Sequence, residues 1–528
     1  MSLSIPLAAQ SLRVGSHDSR WARFQQIAGR DSSTASFTIL PIQSDLSGKR
    51  NGFSTFRLLD VEMEASNTTG FRQGYNHGNR IPGVGMSTWA SAGVYVDDGR
   101  ISIQLRPEFV TSALDSFQTF PGDRNPDNEI FFWRSYFERV LNVIDAPERL
   151  GYRPVNRLRL GQSHIKVHAG PMSLGVSTEH LWWGPGIRNS LLMTNNAPGF
   201  VHGSLATRRP IETPVGRFEG QMIVGRLENS EIEPRTIDTE GLSRFFYRKR
   251  EDDVRVLMGT VLAWQPKWTP GLTLGMIVTD MAYSRSLTRW HDYLPLFQPH
   301  ERQPFGVIGN PYRRGLYDRR SSYYFRYAQP ESGVEVYGEY GREEMATSAA
   351  DFLEIPEHTR AYVIGAQKQL PFYFGMDVLI HAEMTQTEFT ATRSFRPSPS
   401  WYTHHVIRQG YTHQGQILGS GVGPGGSSQL LNIALMNGRQ KLGVFVERQV
   451  HNNDFYYTVF NTTFQRHWVD LAGGADLMVS WRALSLFAET RIVRAYNYQY
   501  QEASIPGVRY IGVDRTSVFT SGGLRLRL

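Results

Sequence analysis

The sequence predicts an all-β chain, and within that class a membrane-spanning antiparallel barrel. Most segments alternate apolar and polar residues with period two, as strands with one apolar face do. No stretch approaches the roughly 18–20 consecutive apolar residues that a membrane helix needs, whereas a barrel strand needs only alternate ones. Aromatic residues make up 12% of the 528 positions and glycine occupies 50 of them, against a modest hydrophobic fraction of 40%. That mix fits many strands and turns.

Alternation alone does not separate a barrel from a soluble sandwich, since one is the other with its faces exchanged. The C-terminus helps. The chain ends on "SGGLRLRL", where Ser521, Gly523, Leu526 and Leu528 follow polar-x-Gly-x-x-apolar-x-apolar. This is similar to the signal read by the barrel-insertion machinery, with Leu528 where an aromatic residue is usual. The N-terminal "MSLSIPLAAQS" lacks a basic start, but "PLAAQ" looks like the end of a signal peptide. Residues 1–10 are therefore expected to be a signal remnant and 11–54 a periplasmic helical N-terminal segment. Residues 55–528 are expected to form the barrel.

The elements follow in order. Trp21, Phe24 and Ile27 are three apart, which predicts a short amphipathic helix near 18–28. "SAGVYVDDGRISIQLRPEF" reads as two strands around Asp97-Asp98-Gly99. Ile130, Trp133, Phe137, Val140, Leu141 and Ile144 share one helical face, so a helical insertion is expected at about 128–145, ended by Pro147. "HIKVHAGPMSLGVST" is a hairpin around Gly170-Pro171. Strand-like segments then continue to the end of the chain. In "VEVYGEYGR", Glu335, Tyr337 and Glu339 share one face, opposite Val334, Val336 and Tyr340.

Several chemistries are excluded. The chain has no cysteine, which removes disulfides, thiolate zinc sites and thiol nucleophiles. Glu335 and Glu339 are four strand residues apart, roughly 13 Å, too far for a glycosidase pair. A ladder with Arg326 or Arg342 is their commoner role. "LGSGVGPGG" lacks the context of a phosphate loop, no HExxH motif occurs, and adjacent His404 and His405 would face opposite ways on a strand. No metal and no cofactor is implied. The net charge is +7 and nearly all of the cationic residues are arginines, which suits an anionic partner. No basic run interleaves with aromatics, so nucleic acid is not expected.

The segment "SLGVSTEHLWWGPGIRNSLLMTNNAPGF" is the most individual. Together with "IDAPERLG", "QPKWTPGLTLGM", "PESGVEVYGEYGR", "IPEHTRAYVIGAQK" and "THHVIRQGYTHQGQILGSGVGPGG" it resembles the Wzi-type capsule assembly proteins, in a Bacteroidetes-like form. The blocks occur in family order over nearly the whole chain. The resemblance implies eighteen strands, small periplasmic helices and loops folded inward as a plug. It also implies an outer-membrane location and a non-enzymatic, lectin-like hold on capsular polysaccharide, expected here to be acidic. The implied surroundings are outer-membrane lipid and lipopolysaccharide, and the implied state is a monomer. A porin-like channel is the alternative, a glycosidase a more distant one.

In such a barrel Gly184-Pro185-Gly186 would turn the chain inward, and Asn195 and Asn196 would bond irregular backbone at membrane depth. Trp182 and Trp183 would fill the lumen, stack on sugar, or anchor at the membrane interface. Glu335, Glu339 and Arg342 would line the lumen. The candidate polysaccharide contacts are Trp182, Trp183, Arg188, Tyr402, His404, His405 and Arg408.

Overall fold

The computed structural model describes residues 13–31, 34–42, 55–120, 130–233, 245–294, 317–343, 349–460, 466–505 and 508–528. The expected signal remnant lies outside them. Twenty-one strand segments close into one barrel. Three pairs of segments are halves of interrupted strands, which leaves eighteen antiparallel staves. The first strand, Thr55–Thr68, pairs with the last, Arg515–Leu526, through Val61↔Leu526 to Thr68↔Phe519. Both predicted hairpins form, Gly85–Asp97 with Ile101–Leu105 and His164–Ala169 with Met172–Ser177.

The alternation resolves as a membrane barrel. On the strand Gln440–Val450, Leu442, Val444 and Val446 are exposed while Glu447 is buried. On Val334–Glu343 the outward Val336 is exposed, and Glu335, Tyr337 and Glu339 are buried. An apolar exterior over a polar interior matches a hydrocarbon solvent outside. Trp268, Trp481, Phe372 and Tyr373 stand exposed beside short turns, as an interfacial girdle does.

Short turns and long connections segregate to opposite ends. The chain's last strand finishes at the short-turn end, where the helix His17–Ile27 also sits, close to its predicted place. Ser16 caps it, accepting from Ser19 N at 3.2 Å. Asp18 meets Arg525 at 2.7 Å, and beyond the helix Arg30 holds Asp377 at 2.6 Å. Phe24 packs on Ala434 and Met436 of the inner wall.

Two expectations need correction. The resemblance implies that the second helix, like the first, is periplasmic. It lies at the opposite, long-loop end, because the strand before it, Glu108–Ser112, runs that way. It is also shorter, Ile130–Tyr136 with a π-helical turn Phe137–Leu141. Residues 128–129 lie outside the described ones. Phe132, Trp133, Tyr136 and Phe137 gain their apolar partners from Phe455, Phe460 and Tyr500 of later loops. The N-terminal segment, expected as a periplasmic helical piece, continues past its helix into the lumen. Ile39 and Leu40 pair antiparallel with Trp183 and Trp182.

Candidate functional site

The inward segment 178–201 is held by carboxylates projecting from the barrel wall. Glu383 accepts three successive backbone N–H groups, Ile187 at 2.8 Å, Arg188 at 3.0 Å and Asn189 at 2.7 Å. Tyr337 Oη donates to the same carboxylate at 2.7 Å. Glu339 accepts from Ser322 Oγ at 2.7 Å, Ser190 Oγ at 2.9 Å and Leu191 N at 3.1 Å. Glu447 takes the Arg188 guanidinium through two bonds of 3.1 and 2.8 Å, and Arg188 also stacks 3.9 Å over the Tyr75 ring. Irregular backbone at membrane depth needs such protein partners. The first strand pair supplies a second inward loop, residues 69–84, whose Tyr75 Oη donates to Glu447 at 2.5 Å.

Glu335 closes the other side. It receives Arg326 at 2.6 Å and Arg23 of the N-terminal helix, and Arg23 also donates to Pro185 O at 2.6 Å. The ladder anticipated in the sequence therefore exists, but Arg326 and Arg23 serve Glu335. Glu339 accepts from hydroxyls and backbone. Arg342 is buried on the same strand.

Gly184 has φ +113° and donates its N–H to Thr38 O at 2.8 Å. A side chain there would meet Ser190 and Glu339. A Cβ on Gly186 would collide with Asn189 O. Trp183 is fully buried, lies against Gly259 and donates to Gln221 at 2.9 Å. Trp182 donates to Gly186 O at 3.1 Å. Asn195 donates to Asn76 O, and Asn196 donates to Ile417 O at 2.8 Å. Tyr402 is fully buried with φ +70°, a conformation costly for a bulky residue. Its hydroxyl donates to Leu191 O at 2.9 Å and accepts from Ser420 N at 3.0 Å. His404 is buried and accepts from Ile407 N at 2.9 Å. None of these side chains presents a free face beyond the long loops.

His405 and Arg408 differ. They ride on a turn between these buried residues, His405 exposed and Arg408 half-buried. Arg408 lies within electrostatic range of Tyr247 and Tyr283. The turn is anchored below by His404 N donating to Val143 O at 2.9 Å and by Asp145 N donating to Gln409 O at 2.7 Å. Phe245 and Trp290 stand exposed on neighbouring loops.

Two carboxyl groups in the loops sit among aromatics. Burial pushes Glu148 and Asp454 each up to about 7, despite bonds from Phe120 N and Gln499 to the first and from Phe389 N to the second. A carboxyl raised in the folded state stabilises fully below its ordinary range near 4 and loses that contribution as pH rises from there through 7, here about 3–4 kcal/mol each at most. Once the intrinsic rise of amide exchange with pH is divided out, protection in the loops carrying Phe120 and Asn453–Val459 should fall between about pH 4 and 7. The double variant Glu148→Gln, Asp454→Asn should flatten the profile, and an unchanged slope would refute this account.

Sequence reasoning missed Glu383, Glu447, Arg23 and Tyr75. The inward phase of "DVLIHAEMTQ" and "KLGVFVERQV" was the available signal for the two carboxylates.

Residues 62–459 match the family described as capsule assembly protein Wzi. The chain belongs to the Wzi capsule assembly family. It is an outer-membrane β-barrel, so the short-turn end with the N-terminal helix faces the periplasm and the long loops face outward. Among solved structures it is similar to Wzi of Escherichia coli, an outer membrane protein involved in group 1 capsule assembly and described as a carbohydrate-binding β-barrel. The identity is 12% and the TM-score 0.60, covering 98% of this chain and 100% of that one. It is also similar to OccK8 (OprE) of Pseudomonas aeruginosa, at 7% identity and TM-score 0.42, covering 90% and 98%. OccAB2 of Acinetobacter baumannii follows at 9% and 0.40, covering 88% and 98%. No curated protein matches the chain.

Proposed function

We propose that this Wzi-family barrel binds surface polysaccharide on its outward rim and retains it at the cell without cleaving it. The carrying observation is the filled outward half of the lumen. The inward loops are tied to Glu339, Glu383 and Glu447, so contact with an external polymer is confined to loop surfaces. This favours a holding role over a porin-like channel. The carbohydrate binding described for the Escherichia coli relative supports the ligand class.

On the rim, Arg408 offers a forked donor for uronate carboxylates, and Phe245 and Trp290 offer faces for sugar rings. His405 adds a donor. Trp182, Trp183, Arg188, Tyr402 and His404 serve instead to hold the loops that carry these residues. Weak sites repeated along a polymer and among many barrels give strong retention. Arg-carboxylate contacts also make it salt-sensitive. The barrel acts as a single chain, inserted by the barrel machinery into lipid and lipopolysaccharide.

A strain lacking the protein should release polymer into the medium at undiminished total yield. Arg408→Ala with Trp290→Ala should reproduce part of that release. Full surface retention in the deletion strain would refute the proposal. Shortening of purified polymer by pure protein would mark it as a glycosidase.

A further inference from the structure

Below the inward loops, on the periplasmic side, the lumen keeps a cavity of about 470 Å³. That lies within the roughly 300–1,000 Å³ of small-ligand sites. One wall is formed by inward residues of the last staves. Phe445 and Phe487 are only partly buried there.

Both rings have an unusual seat. Phe445 pairs in register with Gly474, and a Cβ on Gly474 would run into the Phe445 ring. Phe487 pairs with Gly523, and a Cβ there would run into the Phe487 ring. Each ring thus lies across a glycine of the neighbouring strand on the cavity wall. A phenylalanine packed for stability alone in a polar lumen would be covered by further apolar side chains. These two are flanked by ionic groups instead. Arg491 lies 5.0 Å over Phe445 and contacts Glu489 at 3.7 Å, and Lys441 pairs with Asp476 at 2.7 Å.

The opposite wall points the same way. Asn76 and Asn195 line the cavity there, their carboxamide N–H groups turned to Arg188 O and Asn76 O. Flat aromatic faces beside paired charges and carboxamides match a ligand with apolar faces and hydroxyl edges.

We infer that this cavity is a saccharide site, distinct from the outward rim, in which Phe487 stacks the sugar ring and Phe445 seats Arg491 against the ligand. Glu489, Asp476 and Arg491 then bond the hydroxyls, with Asn76 and Asn195 bounding the far edge. A ligand reaches it from the periplasm, since the outward side is filled. The choice of sugar as ligand agrees with the proposed function but rests on this geometry.

The test uses the full-length barrel purified in detergent, with maltotriose and trigalacturonate as probes. Binding is read by saturation-transfer NMR and by tryptophan fluorescence, because Trp89 and Trp182 also line the cavity. Saturable binding of at least one probe is expected, weakened about tenfold or more by Phe445→Ala with Phe487→Ala. Phe445→Tyr should keep the affinity. No saturable binding of either probe, or unchanged affinity in the folded double variant, overturns the inference. If the double variant loses its heat-modifiable gel shift, Glu489→Ala replaces it with the same expected direction. The rim is tested separately by polymer release from cells, so either site can fail while the other stands.

Discussion

Replacing Glu383 with alanine should open the barrel. The wild-type carboxylate satisfies the N–H groups of Ile187, Arg188 and Asn189 at once and also takes the Tyr337 hydroxyl. Leaving several buried donors unpaired costs roughly 1–3 kcal/mol per group, and charged acceptors count for more than neutral ones. The segment should therefore leave its seat before the staves separate. Planar-bilayer recordings should show a new or enlarged conductance, and the heat-modifiable transition should fall in temperature. Glu383→Gln keeps an acceptor oxygen and should give a smaller effect in both. Wild-type conductance with an unmoved transition in the alanine variant would show that the segment is held by packing alone.

The second large effect is expected from Arg23→Ala. Arg23 joins the N-terminal helix to the wall through Glu335 and to the inward turn through Pro185 O. Its loss leaves Glu335 buried with Arg326 as its one charged partner among the described residues. Breaking a buried pair by removing one member costs about 3–5 kcal/mol. The helix should detach from the periplasmic mouth, and trypsin should cleave the N-terminal segment of the otherwise folded barrel. Adding Glu335→Gln removes the stranded charge, so the double variant should recover part of the lost stability. Equal protease resistance in wild type and Arg23→Ala would mean that Phe24 and the Arg30–Asp377 pair suffice.

Much of the barrel was legible because its rule is local. Alternation in "VEVYGEYGR" or "KLGVFVERQV" assigns each side chain to a face, and only the identity of the outside solvent has to be added. The hairpins at Asp97-Asp98-Gly99 and Gly170-Pro171 were legible for the same reason. The helix at 130–136 was legible as a helix but not by location. Its end of the barrel depends on strand direction, and its length on aromatic partners more than 300 residues away. The interior was the least legible part. Trp182 and Trp183 announce something bulky, but whether a tryptophan stacks on sugar or fills a lumen depends on what faces it. Here that is Gln221, Gly259 and a strand formed by Ile39 and Leu40. Likewise Glu335 called for an arginine, and the second one came from a helix over 300 positions earlier.

That pairing of Ile39–Leu40 with Trp182–Trp183 also constrains the order of events during assembly. The wall closes by joining the strand Thr55–Thr68 to the strand Arg515–Leu526, the two ends of the barrel sequence. The chain preceding Thr55 must already be on the inner side when that seam zips, or else be fed in through the periplasmic mouth afterwards. Its partner strand sits deep in the bore, locked by residues as distant as Tyr402 and Glu447. The interior is thus made almost wholly of contacts between remote segments, the kind that form slowly. An unfinished barrel with its seam still open is the natural intermediate in which they can be sorted, and the final strand acts as the latch that ends the sorting.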